Sequence, residues 1–410
     1  MNDKAYWLWL QKALGTGIKT DEIVSFYKTA KNIYSATPQE RVRSGVFTEK
    51  QLEKLKKTPL DVVDGIIEDC RKCRCRILTP DDDRYPEKLL QIPDFPLVLY
   101  YYGNPDILKK RLTISLVGTR KATKTGLTIS YRLANSLTKS GAVVVSGGAC
   151  GIDGAAHLGA LHADKETVAV LGCGFFAKYH DSVENLKDDI LRKGLIITEY
   201  PPQTPPYGRN FPIRNRIISG LSYAVVVVEC PARSGSAITA RYAREQGREV
   251  FAIPGNVTNS DMTGTIDLIR NLKATAVYSC SDILSAFEFN YPDLIDYTEI
   301  DSSALYESTG EVDFSKVIYK SSKRKTKTSD EEKCEDKKAE EVKVKTKKED
   351  LNLNENAKNV YEILSENPMH IDDIVRNIPS LTIGKIMVSL TQLEMKGLAV
   401  SDSGKKYRRK

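Results

Sequence analysis

Thr113-Ile-Ser-Leu-Val-Gly-Thr-Arg120 is a short, continuously apolar run that stops on a glycine and a cation. The same pattern of an apolar, largely β-branched run recurs at 142–145, 167–171, 195–198, 224–228 and 249–253, with helix-length amphipathic stretches between. Strands buried on both faces read as near-continuous apolar runs, whereas strands with one wet face alternate. Runs of this kind alternating with helices predict a doubly wound α/β fold with a mostly parallel, Rossmann-like sheet over 79–290.

On the amino-terminal side, residues 1–78 read as a helical domain. Leu10, Leu14, Ile18, Ile23, Phe26 and Tyr27 fall at roughly helical spacing, broken by Gly15-Thr16-Gly17. A helix, a glycine turn and another helix is the outline of small SAM-like or helix-hairpin-helix modules that contact DNA backbone. Plain packing of a helix hairpin explains the same turn and is the commoner case. On the other side, residues 321–350 contain no aromatic and are mostly charged, so 291–354 reads as a flexible charged linker. Residues 355–410 become apolar again in three helical stripes, followed by Gly397-Leu-Ala-Val-Ser401 and Gly404-Lys-Lys-Tyr407. Three short helices and a β-hairpin predict a winged helix, a fold that serves duplex DNA in some proteins and protein contacts in others.

Composition narrows the functional classes. A chain of 410 residues, 41% of them apolar, has material for two or three domains. Its 61 Lys plus Arg against 54 Asp plus Glu give a net charge of +7, which suits a polyanionic partner but also many ordinary proteins. The opening MNDKAYWLWLQKAL shows no secretory leader, and no stretch approaches the roughly 20 apolar residues of a membrane helix. A soluble, cytoplasmic protein is expected. The eight cysteines are scattered, as reduced thiols are. The cluster Cys70-Arg-Lys-Cys73-Arg-Cys75 lacks the second ligand pair of a structural zinc site, so no metal is expected.

In an open parallel sheet, ligands bind beyond the carboxyl ends of the strands, where helix N-termini offer N–H groups and positive dipole ends. After 113–117 come Gly118, Thr119 and Arg120, then Thr123 as a helix cap. After 142–145 come Ser146, Gly147 and Gly148, then Asp153 and His157. A lone glycine-rich loop is often only a tight packing turn. Two at adjacent strand ends predict a double cradle for phosphate. Gly172-Cys-Gly174 with Glu199 downstream is a loose dinucleotide pattern, on the wrong strand and crowded by Phe175 and Phe176. No cofactor is expected.

The stretch 201–218 says most. Its prolines stiffen a long excursion in which Tyr207 and Phe211 interleave with Arg209, Arg214 and Arg216 beside Asn215. Aromatic planes and guanidinium groups suit single-stranded nucleic acid, because any base can stack and any phosphate can pair. Arg214 and Arg216 diverge by roughly 200° on a helix. Arg214 is expected on phosphate, with Arg216 farther along the DNA or against a neighbouring subunit. Ser234-Gly235-Ser236 opens a third helix at the same rim, as an ordinary cap or as a further phosphate contact. None of the four histidines (His157, His162, His180, His370) sits in a nucleophile context, and no metal spacing or Walker motif appears. Phosphate grips without an evident general base argue for binding rather than catalysis. The competing class is a nucleotide-processing enzyme resembling the lysine-decarboxylase-like phosphoribohydrolases, for which Asp153 and Glu229 are the candidate carboxylates.

Several ordered stretches together resemble the bacterial DNA-processing protein A family (DprA, also called Smf). They are Arg84-Tyr-Pro-Glu-Lys-Leu-Leu, Val98-Leu-Tyr, Val117-Gly-Thr-Arg120, Val145-Ser-Gly-Gly-Ala-Cys-Gly-Ile-Asp153, Phe211-Pro-Ile-Arg-Asn-Arg-Ile-Ile218, Ser234-Gly-Ser236 and Val250-Phe-Ala-Ile-Pro-Gly255. The resemblance covers about 84–280, and the helical head and winged-helix tail fit in outline. It implies a homodimer, joined through the Rossmann-like domain, that binds single-stranded DNA, protects it and hands it to a RecA-type recombinase, chiefly in natural transformation. Carried over by position, Gly118, Arg120, Ser146, Gly147 and Gly148 would hold phosphate, Phe211 would stack on a base and Arg214 would pair with the backbone. The chain departs from the family at Phe175 or Phe176 and Tyr179-His180, where an Asp and Tyr-Pro are usual, and at Gly264-Thr265-Ile266, where Gly-Thr-Asn is usual.

Overall fold

The computed structural model describes residues 3–109, 111–177, 182–232, 234–299, 311–318, 355–365, 367–378, 381–402 and 406–409. They fall into two compact units divided between residues 324 and 325.

The first unit is built on a nine-stranded sheet. Its strands are β1 (Arg76–Leu78), β2 (Leu99–Gly103), β3 (Thr113–Val117), β4 (Val143–Ser146), β5 (Thr167–Leu171), β6 (Leu195–Thr198), β7 (Ala224–Val227), β8 (Glu249–Ala252) and β9 (Thr275–Ala276), in the order β1-β2-β6-β5-β4-β3-β7-β8-β9. The seven strands from β6 to β9 run parallel, and β1 and β2 extend one edge antiparallel. This is the doubly wound, mostly parallel sheet expected from the apolar runs, and every residue of β3, β4 and β7 is buried. Helices cover both faces, giving two separate cores on opposite sides of the sheet. Chain order reverses direction at β3, which has β4 on one side and β7 on the other, so the crevice between the carboxyl ends of β3 and β7 is the topological switch point.

The helical head is part of this unit. Trp7, Leu8, Trp9 and Leu10 share a core with Leu97, Val98 and Tyr100 at β2. Gln11 donates to the Glu199 carbonyl at 2.8 Å and accepts from the Tyr100 hydroxyl at 2.9 Å. The Gly15-Thr16-Gly17 turn is used by the protein itself. Gly17 has φ +70°, and a Cβ there would lie 2.8 Å from Ile213. The turn therefore packs the head against the 210–220 helix, the packing role considered above.

The expected linker 291–354 also needs correction within its described part. Ile295, Phe314 and Val317 are buried against the sheet's helices, and the Val317 carbonyl accepts the Gly151 N–H at 2.8 Å. The remainder, including Cys334, lies outside the described residues, as do Tyr179 and His180.

The second unit has helices Glu355–Ile363, Ile371–Asn377 and Ile383–Met395, and strands β10 (Met369–His370), β11 (Ala399–Asp402) and β12 (Lys406–Arg409) in the order β10-β12-β11. Val360, Ile374, Ile386, Leu390 and Leu393 form its core. Three helices with an antiparallel β11–β12 pair are the expected winged helix.

Candidate nucleic-acid interface

A cleft of about 640 Å³ opens where the switch point predicts. Its walls are the turn after β3, the helix after β4, the 206–218 stretch and the start of the Gly235–Glu245 helix. Of the residues singled out from sequence, Gly118, Thr119, Arg120, Phe211, Arg214, Asn215, Ser234, Gly235 and Ser236 line it. Ala149, Asp153 and Thr239 line it too. Thr239 was missed; its one signal is that it lies a helical turn beyond Ser236, on the same face.

Arg120 is exposed, and its guanidinium carbon lies 5.1 Å from the centre of the Phe211 ring. Behind the ring is Gly172, where a Cβ would come within 2.9 Å of Phe211. The absence of a side chain at Gly172 is what lets the ring seat against the end of β5. The 235–245 helix begins with Ser234 as its cap, accepting from the Ala237 N–H at 3.4 Å. Asn215 ties that start to the 210–220 helix by donating to the Gly235 carbonyl at 3.1 Å. A helix N-terminus with hydroxyls, a cation and an aromatic plane thus meet in one cleft.

Other expected contacts are redirected inward. Ser146 is fully buried and donates to the Leu116 carbonyl at 2.6 Å, tying β4 to β3. The Gly147 carbonyl accepts from Arg214 at 2.6 Å, and the Gly148 carbonyl accepts from the Ser182 hydroxyl and the Val183 N–H. The Ser146 hydroxyl and the Gly147 and Gly148 carbonyls therefore carry the protein's own contacts, bonds in which the N–H groups a phosphate would use take no part, and the two glycines line a separate space of only about 40 Å³. Arg214 reaches the cleft wall, but it is buried and also donates to the Val170 carbonyl. Asp153 approaches the same spot, since a Cβ on Gly147 would meet both its Oδ2 and the Arg214 guanidinium within 2.8 Å.

The first phosphate cradle is partly filled as well. Glu229 accepts from the Thr123 N–H and hydroxyl at the start of the Lys124–Lys139 helix, the hydroxyl at 2.8 Å. A Cβ on Gly126 would collide with this carboxylate. Burial raises the Glu229 carboxyl above its ordinary range, against the pull of the Thr123 bonds. That helix dipole is therefore answered by the chain itself, whereas the start of the 235–245 helix faces the cleft.

Arg216 overturns its expectation outright. Its exposure is 1%; Nη2 lies 2.7 Å from Glu199 and Nε 3.2 Å from Asp94. It does point away from Arg214, but the head and the segment before β2 cover that side, so no DNA or neighbouring subunit meets it. The pairing also removes Glu199 from any ribose role, and burial raises its carboxyl despite Arg216. Gly174 belongs to the same closed region: a Cβ there would lie 2.2 Å from the Pro201 carbonyl oxygen. Arg209 sits at the exposed rim, 5.3 Å from the ring of Tyr207, outside the cleft wall. His157 is fully buried, with Nδ1 2.8 Å from the Thr167 hydroxyl. Burial pulls its pKa down to about 3, so it is a neutral packing residue.

Comparison with known proteins places the same regions in one group. The family described as DNA recombination-mediator protein A matches residues 76–288, and the DprA winged helix domain matches 345–405. A Protein Smf from Synechocystis sp. is 32% identical over 415 residues, spanning 100% of this chain and 99% of its own length. The DNA processing protein DprA of Bacillus subtilis is 42% identical over 200 residues, 49% of this chain and 67% of that protein. The X-ray structure of DNA processing protein A from Streptococcus pneumoniae superposes with a TM-score of 0.60 at 33% identity, covering 71% of this chain and 99% of that one.

Proposed function

The chain belongs to the DNA recombination-mediator protein A family, and on that premise we propose that the cleft between β3 and β7 binds single-stranded DNA without altering it covalently. One observation carries the reading: Arg120 lies over Phe211 in the same cleft that receives the N-terminus of the 235–245 helix. Cation, hydroxyls and helix dipole suit a phosphate, and an aromatic plane suits a base of any identity. Arg214 contributes chiefly by holding the strand-end carbonyls that shape the cleft wall, with Asn215 fixing the helix start beside it. Asp153 is the one candidate carboxylate that lines the cleft; Glu229 is engaged by Thr123. The strand held here is protected and passed to a RecA-type recombinase during transformation and recombination. The working form is a homodimer in the cytoplasm, with 1–78 as the head, 79–290 as the DNA-binding domain and 355–410 as the winged helix.

Fluorescence anisotropy with a labelled single strand and the matching duplex at two salt concentrations tests the reading. The single strand should bind better, more weakly at the higher salt, and with affinity reduced by Arg120→Ala. Equal affinity for duplex, or an unaffected Arg120→Ala protein, defeats the assignment. Incubation with nucleoside monophosphates should release no free base; release would move Asp153 into a catalytic role.

A further inference from the structure

The sheet has a second pole. At the amino ends of β3, β7 and β8, roughly 16 Å of strand away from the first cleft, lies another cleft of about 520 Å³. Five cations line it: Arg84, Lys88, Lys109, Arg111 and Arg248. The carboxylates on its wall are Asp83 and Glu87. Arg84 and Lys88 belong to the Arg84-Tyr-Pro-Glu-Lys-Leu-Leu stretch, to which the first cleft gives no role. Tyr223 and Tyr291 supply aromatic surface, their rings 4.7 Å apart and edge to face.

The two inner cations are held without a counter-charge. Arg248 donates to neutral oxygens, Gln91 Oε1 at 3.0 Å and the Lys88 carbonyl at 2.9 Å, and its Nε is buried with no hydrogen-bond partner. The Lys88 ammonium sits 3.3 Å from the centre of the Tyr223 ring. Among the described residues, no carboxylate forms an ion pair with either of them. Burial, and then Arg248, pull the Lys88 pKa down to about 8. An anion seated between the two would relieve both effects. A phosphate fits better than a carboxylate, because its charge and three acceptor oxygens can answer a guanidinium fork and an ammonium together. Tyr291, 37% exposed, offers a ring to anything planar attached to that phosphate.

We propose that this amino-end cleft binds a nucleotide, its phosphate between Lys88 and Arg248 and its base against Tyr291. The nucleotide comes either free or as part of a DNA strand, and both sources share this chemistry. The site is independent of the first cleft, so either can fail alone.

Equilibrium dialysis of the full chain with radiolabelled dAMP, and separately with a short single-stranded oligonucleotide, reads it out. Four proteins are compared: unaltered, Arg120→Ala/Phe211→Ala, and that double variant carrying in addition Lys88→Glu or Lys109→Glu. Lys109 is exposed on the cleft wall, so its reversal leaves folding intact if Lys88→Glu does not. At least one probe should bind the Arg120→Ala/Phe211→Ala protein, and each charge reversal should weaken that probe by about tenfold, or 1.4 kcal/mol. Binding of dAMP identifies a free nucleotide; binding of the oligonucleotide alone identifies a strand. The proposal is overturned if neither probe binds the Arg120→Ala/Phe211→Ala protein, or if Lys109→Glu leaves both affinities unchanged.

Discussion

The rim of the sheet has an open half and a closed half that look alike in sequence. Beyond β3 and β7, Gly118 and Ser234-Gly235-Ser236 border a cleft of about 640 Å³. Beyond β4 and β5, Gly147, Gly148, Gly172 and Gly174 border about 40 Å³. Both halves are rich in glycine because backbone must approach something closely. In the open half Gly118 faces Ile152 and the Glu229 carbonyl, but the space beside Gly235 is empty. In the closed half it is taken by the Arg214 guanidinium, the Phe211 ring and the Pro201 carbonyl. Glycine in a loop after a strand thus reports a close approach, without saying whose atoms make it.

The largest effect should come from the closed side. Arg216→Ala leaves Glu199 buried and uncompensated, and should destabilise the first unit by about 3–5 kcal/mol in denaturant unfolding. Replacing both partners with apolar residues should recover part of that loss. Arg120→Ala, on an exposed side chain beyond β3, should leave the unfolding midpoint almost unchanged.

Phe211 stands on the border of the two halves. Phe211→Ala should weaken binding of a single strand by about 1–3 kcal/mol, the usual worth of one stacked base. Phe211→Tyr should retain most of the affinity, since the plane is kept. Equal losses in the two variants would mean that the ring only props the loop against Gly172.

The glycines themselves give a direct contrast. Gly174→Ala forces a methyl group against two proline carbonyls and should cost about 1–3 kcal/mol of stability. A Cβ on Gly235 meets nothing within 4 Å, so Gly235→Ala should stay within about 0.5 kcal/mol in unfolding, and any effect should appear in DNA affinity.

Acid should act away from the rim, through His157, which bonds Thr167 at the amino end of β5. Its pKa is near 3 when folded and rises to the ordinary value on unfolding. The unfolded chain therefore takes up a proton first as pH falls, and this residue's contribution to stability declines between about pH 6.5 and 3, by up to about 1.4 kcal/mol per unit. In His157→Gln that part of the slope should disappear from denaturation curves measured across the window.

Much of this was legible in the sequence. The six central strands were readable because burial on both faces forces apolar runs. Strands β1 and β9, three and two residues long, carry too little pattern to declare themselves. The open half of the site was readable wherever a residue's chemistry and its position after a strand agreed, as for Arg120 and Ser236. Arg216 was misplaced for a different reason. Helical geometry put it opposite Arg214, which is where it lies, but nothing local shows that Asp94 and Glu199, distant in sequence, cover that side. The segment 311–318 reads as tether because its neighbours are charged, yet Phe314 and Val317 suffice to seat it.

Binding of a single strand at the open rim requires a phosphate beside Arg120. The most direct measurement is the slope of log affinity against log salt for a single-stranded oligonucleotide, in the unaltered and Arg120→Ala proteins. Loss of one phosphate contact should lower the steepness by about 0.7. Parallel lines, whatever their offset, would contradict it.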